Sequence, residues 1–193
     1  ALLAPLLGIN PACLLLLPVH VVLLELVIDP TCSIVLERQP AETDIMERPP
    51  RKMNEKLIDI NSLTKSLFQG FAIFGAAFGT YLTFLEQYPD NAALARTMGL
   101  TIMFISNMLL VHVNSSESEL AIRSILRLRG DKVIAAVNIG VILGLIIMLY
   151  TPFADVLKLA PLTWQEIILA VGIACASVLW YEIVKLVRLG MTK

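Results

Sequence analysis

The chain has 193 residues, of which 57% are hydrophobic and 16% are charged. This apolar fraction exceeds the roughly one half that is usual in soluble domains, so the composition excludes an ordinary soluble protein and indicates an integral membrane protein with the lipid bilayer as a partner. The 15 basic and 16 acidic residues nearly cancel, which gives no reason to expect nucleic acid as a partner.

Five apolar segments are long enough to cross a bilayer, which takes about 20 residues. A shorter apolar stretch at residues 1–7 reads as the end of a sixth segment, joined to the next by a turn signal at residues 8–11. The sequence therefore predicts an all-α, polytopic transmembrane helical bundle, with five full spanning helices and the end of a sixth at the N-terminus. The five predicted spans are residues 12–36, 64–86, 94–114, 133–153 and 165–188.

The connections between the segments alternate in charge. Residues 37–63 and 115–132 are rich in Lys and Arg, whereas residues 87–93 contain neither. Loops rich in Lys and Arg stay on the cytoplasmic side of a membrane. The two basic loops and the C-terminus are therefore predicted to be cytoplasmic. The first full segment would then run from the outside to the inside.

Two acidic residues, Glu25 and Asp29, lie inside this first segment. Each carboxylate at bilayer depth costs roughly 2.5–3.5 kcal/mol, so the pair indicates a functional site. Residues four apart share one helix face, which lets both carboxylates hold one cation. Without a cation they repel and favour a shared proton, so the pair suits exchange of protons for cations. The alternative is that both acids pair with neighbouring helices and only fix the packing.

Two prolines accompany the pair. Pro30 lacks the N–H that would bond the carbonyl of Leu26, and Pro18 leaves the carbonyl of Leu14 in the same state. Carbonyls freed beside carboxylates suit a hard cation such as Ca²⁺, Mg²⁺ or Na⁺. We therefore expect a helix that is kinked or unwound around the acidic pair.

Other polar residues within apolar segments have two roles open to them. Asn107 can donate an oxygen ligand to a cation, or it can form an interhelical hydrogen bond. His20 can act as a ligand or proton relay, or simply form a hydrogen bond near the outer surface. Glu182 and Lys185, three positions apart, are predicted to form a local ion pair at the inner boundary.

Two stretches carry a resemblance to a known family. The first is Glu25-Leu-Val-Ile-Asp29-Pro30, and the second is Asp44-Ile45-Met46-Glu47-Arg48-Pro49-Pro50-Arg51 in the loop that follows. Together they resemble the C-terminal transport region of cation-translocating P-type ATPases, especially the bacterial, calcium-pump-like group. The resemblance covers essentially the whole chain, residues 1–193, as the end of the fifth membrane helix through the tenth.

The resemblance implies that Glu25 and Asp29 form the ion-binding pair, and that Asn107 matches a position that is an acidic or amide ligand in some members. It implies Ca²⁺, another hard cation or H⁺ as the transported ion. Animal calcium pumps usually carry asparagine at position 25 and glycine at position 30, so the identity of the ion stays open.

The phosphorylated aspartate, the dephosphorylation loop and the magnesium motif of such pumps are absent from these residues. The chain is therefore expected to be the membrane part of a P-type ATPase, with upstream catalytic domains and further transmembrane helices as partners. ATP and Mg²⁺ would be required by the full-length pump, in a bacterial plasma membrane. Two alternatives remain open from the residues alone: a passive channel or secondary cation/proton transporter, and a membrane subunit that transports nothing.

Overall fold

The computed structural model describes residues 13–38, 60–114 and 131–191. These ranges contain six helices and no strand, which confirms the all-α prediction. The predicted helix end at residues 1–7, the motif at 44–51 and most of both basic loops lie outside the described residues. The helices are α1 (Pro18–Glu37), α2 (Ile60–Gln87), α3 (Ala92–Asn114), α4 (Lys132–Tyr150), α5 (Phe153–Val156) and α6 (Trp164–Met191).

Five of these helices are long and apolar enough to cross a membrane, which is the number that the sequence predicts. Two of the helix bounds that differ from the predicted ones lie beside prolines. Helix α1 begins at Pro18 rather than at residue 12, because proline has a suitable φ for the first helical position and its missing N–H is not needed there. Helix α4 ends at Tyr150 because Thr151, which precedes Pro152, is held in an extended conformation.

Helix α3 forms the centre of the bundle. It packs against α1, α2, α4 and α6, and 67% of its apolar stretch is buried, against 28% or less in each of the other four long helices. Gly99 permits the close approach of α2, because a Cβ atom at this position would lie 3.3 Å from the carbonyl oxygen of Ala77 and 2.5 Å from Cδ1 of Leu15. The remaining long helices expose wide apolar faces, as expected for a bundle in a bilayer.

The C-terminal end of α1 is joined to the start of α4. Arg38, which caps α1, donates from Nε to Oδ2 of Asp131 at 2.8 Å. The other carboxylate oxygen of Asp131 accepts the N–H of Val133 at 2.8 Å and so caps α4. The hydrogen bond from Arg38, together with that from Val133, holds the pKa of Asp131 below its ordinary value.

A second polar cluster joins α6 to the C-terminal end of α3. Lys185 is 3% exposed and donates to the carbonyl of Val113 at 2.5 Å. Its Nζ atom also lies 3.0 Å from Oε1 of Glu182, which confirms the ion pair predicted from the sequence. Nearby, the side-chain amides of Gln69 and Asn114 exchange two hydrogen bonds of 3.2 Å.

Candidate cation-binding site

The two acidic residues lie side by side on α1. Glu25 and Asp29 are both exposed, and a separation of four residues places them about 6 Å apart along the helix axis. The side chains of α1 that are buried in the bundle are His20, Leu24, Thr31 and Val35. The carboxylates therefore occupy a face of α1 that no other described residue covers.

Proline 30 lies within α1 without interrupting it. The helix is continuous from Pro18 to Glu37, so of the two expected outcomes the unwound segment is wrong, whereas a kink at Pro30 stays a prediction. A single proline removes only one hydrogen bond, and the adjoining turns of α1 stay helical. The hydroxyl of Thr31 adds a bond of 2.6 Å to the carbonyl of Val27 on the turn before it. Such side-chain bonds are one way in which membrane helices tolerate proline.

The carbonyl of Leu26 is the oxygen that Pro30 leaves without its helical donor. Leu26 lies between Glu25 and Asp29 in the chain and is 67% exposed, on the same uncovered face. This face of α1 therefore brings together two carboxylates and one carbonyl that lacks its usual helical bond. These are the oxygen donors that hard cations prefer.

The carbonyl of Leu14, which the sequence predicted Pro18 would free, lies before the start of α1 and has a different partner. It accepts a hydrogen bond of 2.8 Å from Nε of Arg96 on α3. The oxygen is thus used to attach the segment before α1 to the centre of the bundle. It does not belong to the candidate site.

Asn107 lies where α3 packs against α1. It is half-buried on α3, and its Nδ2 atom donates to the carbonyl of Met103 at 2.8 Å. With Val27, Ile28 and other residues it lines a cavity of about 10 Å³ between α1 and α3. The structure brings Glu25 and Asp29 together but does not bring Asn107 to them.

His20 is fully engaged in hydrogen bonds. Its Nε2 atom lies 2.8 Å from the carbonyl oxygen of Leu157, and its Nδ1 atom accepts the N–H of Leu17 at 3.2 Å. The side chain is 1% exposed. With both ring nitrogens occupied, the structure favours the hydrogen-bonding role over that of a cation ligand.

The described residues do not form a complete metal site. They contain no cluster of three or more His, Cys, Asp or Glu side chains that could hold a metal ion. Calcium takes about six to eight oxygen ligands, which is more than two carboxylates and one carbonyl supply without water. The face of α1 therefore offers part of a coordination shell.

Two residues that hold this helix were not identified from the sequence. Arg96 is 3% exposed near the start of α3, and Tyr81 of α2, which is fully buried, donates from its hydroxyl to the carbonyl of Cys13. The position of Arg96 within an apolar segment is a signal that could have singled it out, since an arginine there needs polar partners. Nothing in the local sequence indicates the contact of Tyr81.

Comparison with known proteins gives the chain a family context. The family model described as "Cation transporting ATPase, C-terminus" matches residues 13–187. A calcium-transporting ATPase of Bacillus subtilis (strain 168) is 25% identical over 159 residues. That alignment covers 82% of this chain and 18% of the relative, so the chain spans less than a fifth of the length of the protein it matches.

Proposed function

This chain belongs to the family of C-terminal regions of cation-transporting ATPases, and we propose that Glu25 and Asp29 are the carboxylates with which it binds the transported cation. The family makes the chain the membrane part of a cation pump. The proposal rests on one observation above all, which is that both carboxylates lie on one face of a helix that is apolar enough to cross the membrane.

The energetic cost of the pair supports this role. Two carboxylates that faced lipid would each cost several kcal/mol, and within the described residues no other helix covers them. We therefore infer that further transmembrane helices of the full-length pump cover this face of α1. Those helices would complete the coordination shell that Glu25, Asp29 and the Leu26 carbonyl begin.

The repulsion between the two carboxylates determines what the site binds. Two negative charges one helical turn apart are stabilised by a bound cation or by a shared proton. Release of the cation on one side of the membrane would therefore be coupled to uptake of a proton. In the full-length pump, ATP and Mg²⁺ would drive the change of access at upstream catalytic domains, and the C-terminus would face the cytoplasm of a bacterial cell.

Calcium is the first cation to test. The Bacillus relative is a calcium-transporting ATPase, and carboxylate and carbonyl oxygens are the ligands that Ca²⁺ prefers. Another hard cation, or H⁺ alone, would use the same carboxylates. Asn107 remains a proposed ligand of lower rank, because its amide nitrogen is bonded to the carbonyl of Met103 on its own helix.

The experiment is the cation-stimulated ATPase activity of the full-length protein in lipid, with Ca²⁺, Mg²⁺, Mn²⁺, Na⁺, K⁺ and pH varied in turn. We expect one cation to stimulate hydrolysis, and we expect Glu25→Gln and Asp29→Asn to abolish that stimulation. Asp155→Asn is the matched control, because Asp155 is an exposed carboxylate on the short helix α5, outside the long apolar helices.

Two results would contradict the proposal. Equal stimulation in the wild type and in both variants would place the cation elsewhere. Cation flux through vesicles that needs no ATP would instead support a channel or a secondary transporter.

A further inference from the structure

The beginning of α1 is attached to a turn at residues 157–160, which follows α5. His20 makes this contact, because its Nε2 atom lies 2.8 Å from the carbonyl oxygen of Leu157. The N–H of Leu17 can only donate, so the Nδ1 atom of His20 that it contacts is the acceptor and Nε2 carries the hydrogen. One buried imidazole thus binds both the residue that caps α1 and the 157–160 turn.

Helix α3 holds the same turn. Arg96 donates from Nη1 to the carbonyl of Lys158 at 2.7 Å, and the N–H of Ala160 donates to Oγ1 of Thr97 at 2.9 Å. Arg96 is 3% exposed and Thr97 is fully buried. Lys158 itself has a positive φ of 52°, the conformation that often ends a helix, and the carbonyl of Lys158 and the N–H of Ala160 both bond side chains of α3.

Arg96 also contacts the segment that leads into α1. Its Nε atom donates to the carbonyl of Leu14 at 2.8 Å while Nη1 binds the turn. The planar guanidinium can serve two carbonyls at once, which a lysine ammonium does less well. The beginning of α1 is therefore attached to α3 directly through Leu14 and indirectly through the turn.

Between its two ends, α1 meets the other described elements through packing. In the part of the chain that the structure describes, its hydrogen bonds to other elements are made at His20 and at Arg38, and none is made from residues 21–37. Glu25 follows His20 by five residues, or about 7.5 Å along the helix axis. Because α1 is continuous, a rotation or shift of its first turn would be passed to both carboxylates.

We propose that His20 and Arg96 are positioning residues for the carboxylate pair, acting through the 157–160 turn and the backbone of Leu14. The inference rests on the proposed function, since it concerns the placement of the same site. Their task is to fix the rotation and the height of α1 so that Glu25 and Asp29 meet the remaining ligands. Neither residue contacts the cation.

The test compares two substitutions of one residue in the full-length pump. His20→Leu removes both hydrogen bonds, whereas His20→Gln retains a donor and an acceptor. We expect His20→Leu to raise the half-saturating cation concentration of the ATPase about tenfold, as loss of a ligand-orienting contact commonly does. The maximal rate should change little, and His20→Gln should restore most of the affinity. Arg96→Lys should raise the half-saturating concentration in the same direction.

His112→Leu is the matched control. His112 is the other histidine of the chain, is also buried, and bonds Asn138 of α4 at 3.1–3.3 Å, with no hydrogen bond to α1 among the described residues. It should leave the half-saturating concentration unchanged. This control separates a specific effect on α1 from the general effect of removing a buried imidazole.

A purely structural role for His20 would give a different pattern. Lower thermal stability or a lower maximal rate with an unchanged half-saturating concentration would overturn the inference, and so would equal damage by Leu and Gln. Glu25→Gln, measured in the same assay, keeps the two proposals apart. If Glu25→Gln abolishes stimulation while His20→Leu does nothing, only the positioning role fails, and if Glu25→Gln has no effect, the proposed site itself fails.

Discussion

Arg38 and Asp131 join the end of one membrane helix to the beginning of another, with the Nε atom of Arg38 2.8 Å from Oδ2 of Asp131. The contact spans 93 residues of sequence and ties α1 to α4 beyond the acidic pair. The carboxylate-bearing helix is therefore attached at both ends, through His20 at one and through Arg38 at the other. The stretch with Glu25 and Asp29 lies between these attachments.

The pairing of Asp131 predicts a pH dependence of stability. Its folded-state pKa lies below the ordinary value of 3.8, first because of the hydrogen bond from Arg38. A depressed pKa means that the stabilisation is complete above the unfolded value and is lost as the pH falls through the folded one. Thermal melting of the purified protein should therefore show a contribution of Asp131 that is complete at pH 7 and is lost as the pH falls below 3.8 and through the folded-state pKa.

Two substitutions divide this contribution. Asp131→Asn keeps an acceptor for the N–H of Val133 but removes the charge, whereas Asp131→Ala removes both. We expect Asp131→Ala to lower the melting temperature more than Asp131→Asn. Because the pair is partly exposed, the difference between wild type and Asp131→Asn should shrink at high salt, whereas the difference between Asp131→Asn and Asp131→Ala should not. A salt-independent difference would show that the ion pair contributes nothing.

The close contact at Gly99 predicts a steric effect. Gly99→Val would press a side chain against the carbonyl of Ala77 and the side chain of Leu15, and overpacking of this kind costs roughly 1–3 kcal/mol. Gly172→Val is the control, since a Cβ atom at Gly172 has no neighbour within 4 Å. Melting temperatures of both variants measure the difference, and equal losses would mean that α2 and α3 are not closely packed at Gly99.

We expect substitution of the buried Lys185 to cause a large loss of stability. Lys185→Met removes the charge that faces Glu182 and the donor to the carbonyl of Val113, so we expect a cost of about 3 kcal/mol. Adding Glu182→Gln should recover part of that loss, because it removes the negative charge that Lys185 neutralises in the wild type. A double-mutant cycle of thermal unfolding measures the coupling. Strictly additive losses would argue against an interaction between the two side chains.

We expect substitution of Asn107 to have a weak effect on cation affinity. Its amide nitrogen bonds the carbonyl of Met103 on its own helix, so Asn107→Leu should affect cation binding less than loss of either carboxylate does. We expect the half-saturating cation concentration to change by less than about threefold, the equivalent of the ~0.6 kcal/mol typical of a hydrogen bond between membrane helices. A loss of affinity as large as that of Asp29→Asn would instead establish Asn107 as a ligand.

Local sequence patterns predicted much of this architecture. The number of long apolar helices follows from run lengths, and the shared face of Glu25 and Asp29 and the pairing of Glu182 with Lys185 follow from helical periodicity. These features depend on residues within one or two turns of each other. They can therefore be derived without knowing how the helices pack.

The features that the sequence did not predict depend on contacts between distant segments. Pro30 suggested a kinked or unwound helix, but the helix is continuous from Pro18 to Glu37. The partner of His20 is a backbone carbonyl 137 residues away, and the partners of Arg96 are carbonyls in two different segments. Backbone carbonyls occur at every residue, so no sequence signal identifies the one that a buried side chain will bind.

The central claim is that Glu25 and Asp29 bind the cation that the pump transports. The most direct measurement is ATP-driven Ca²⁺ uptake into sealed membrane vesicles that contain the full-length protein, compared with the Glu25→Gln/Asp29→Asn double variant and with Asp155→Asn. We expect uptake by the wild type and by Asp155→Asn, and none by the double variant at an equal amount of folded protein. Uptake by the double variant at the wild-type rate and affinity would contradict it.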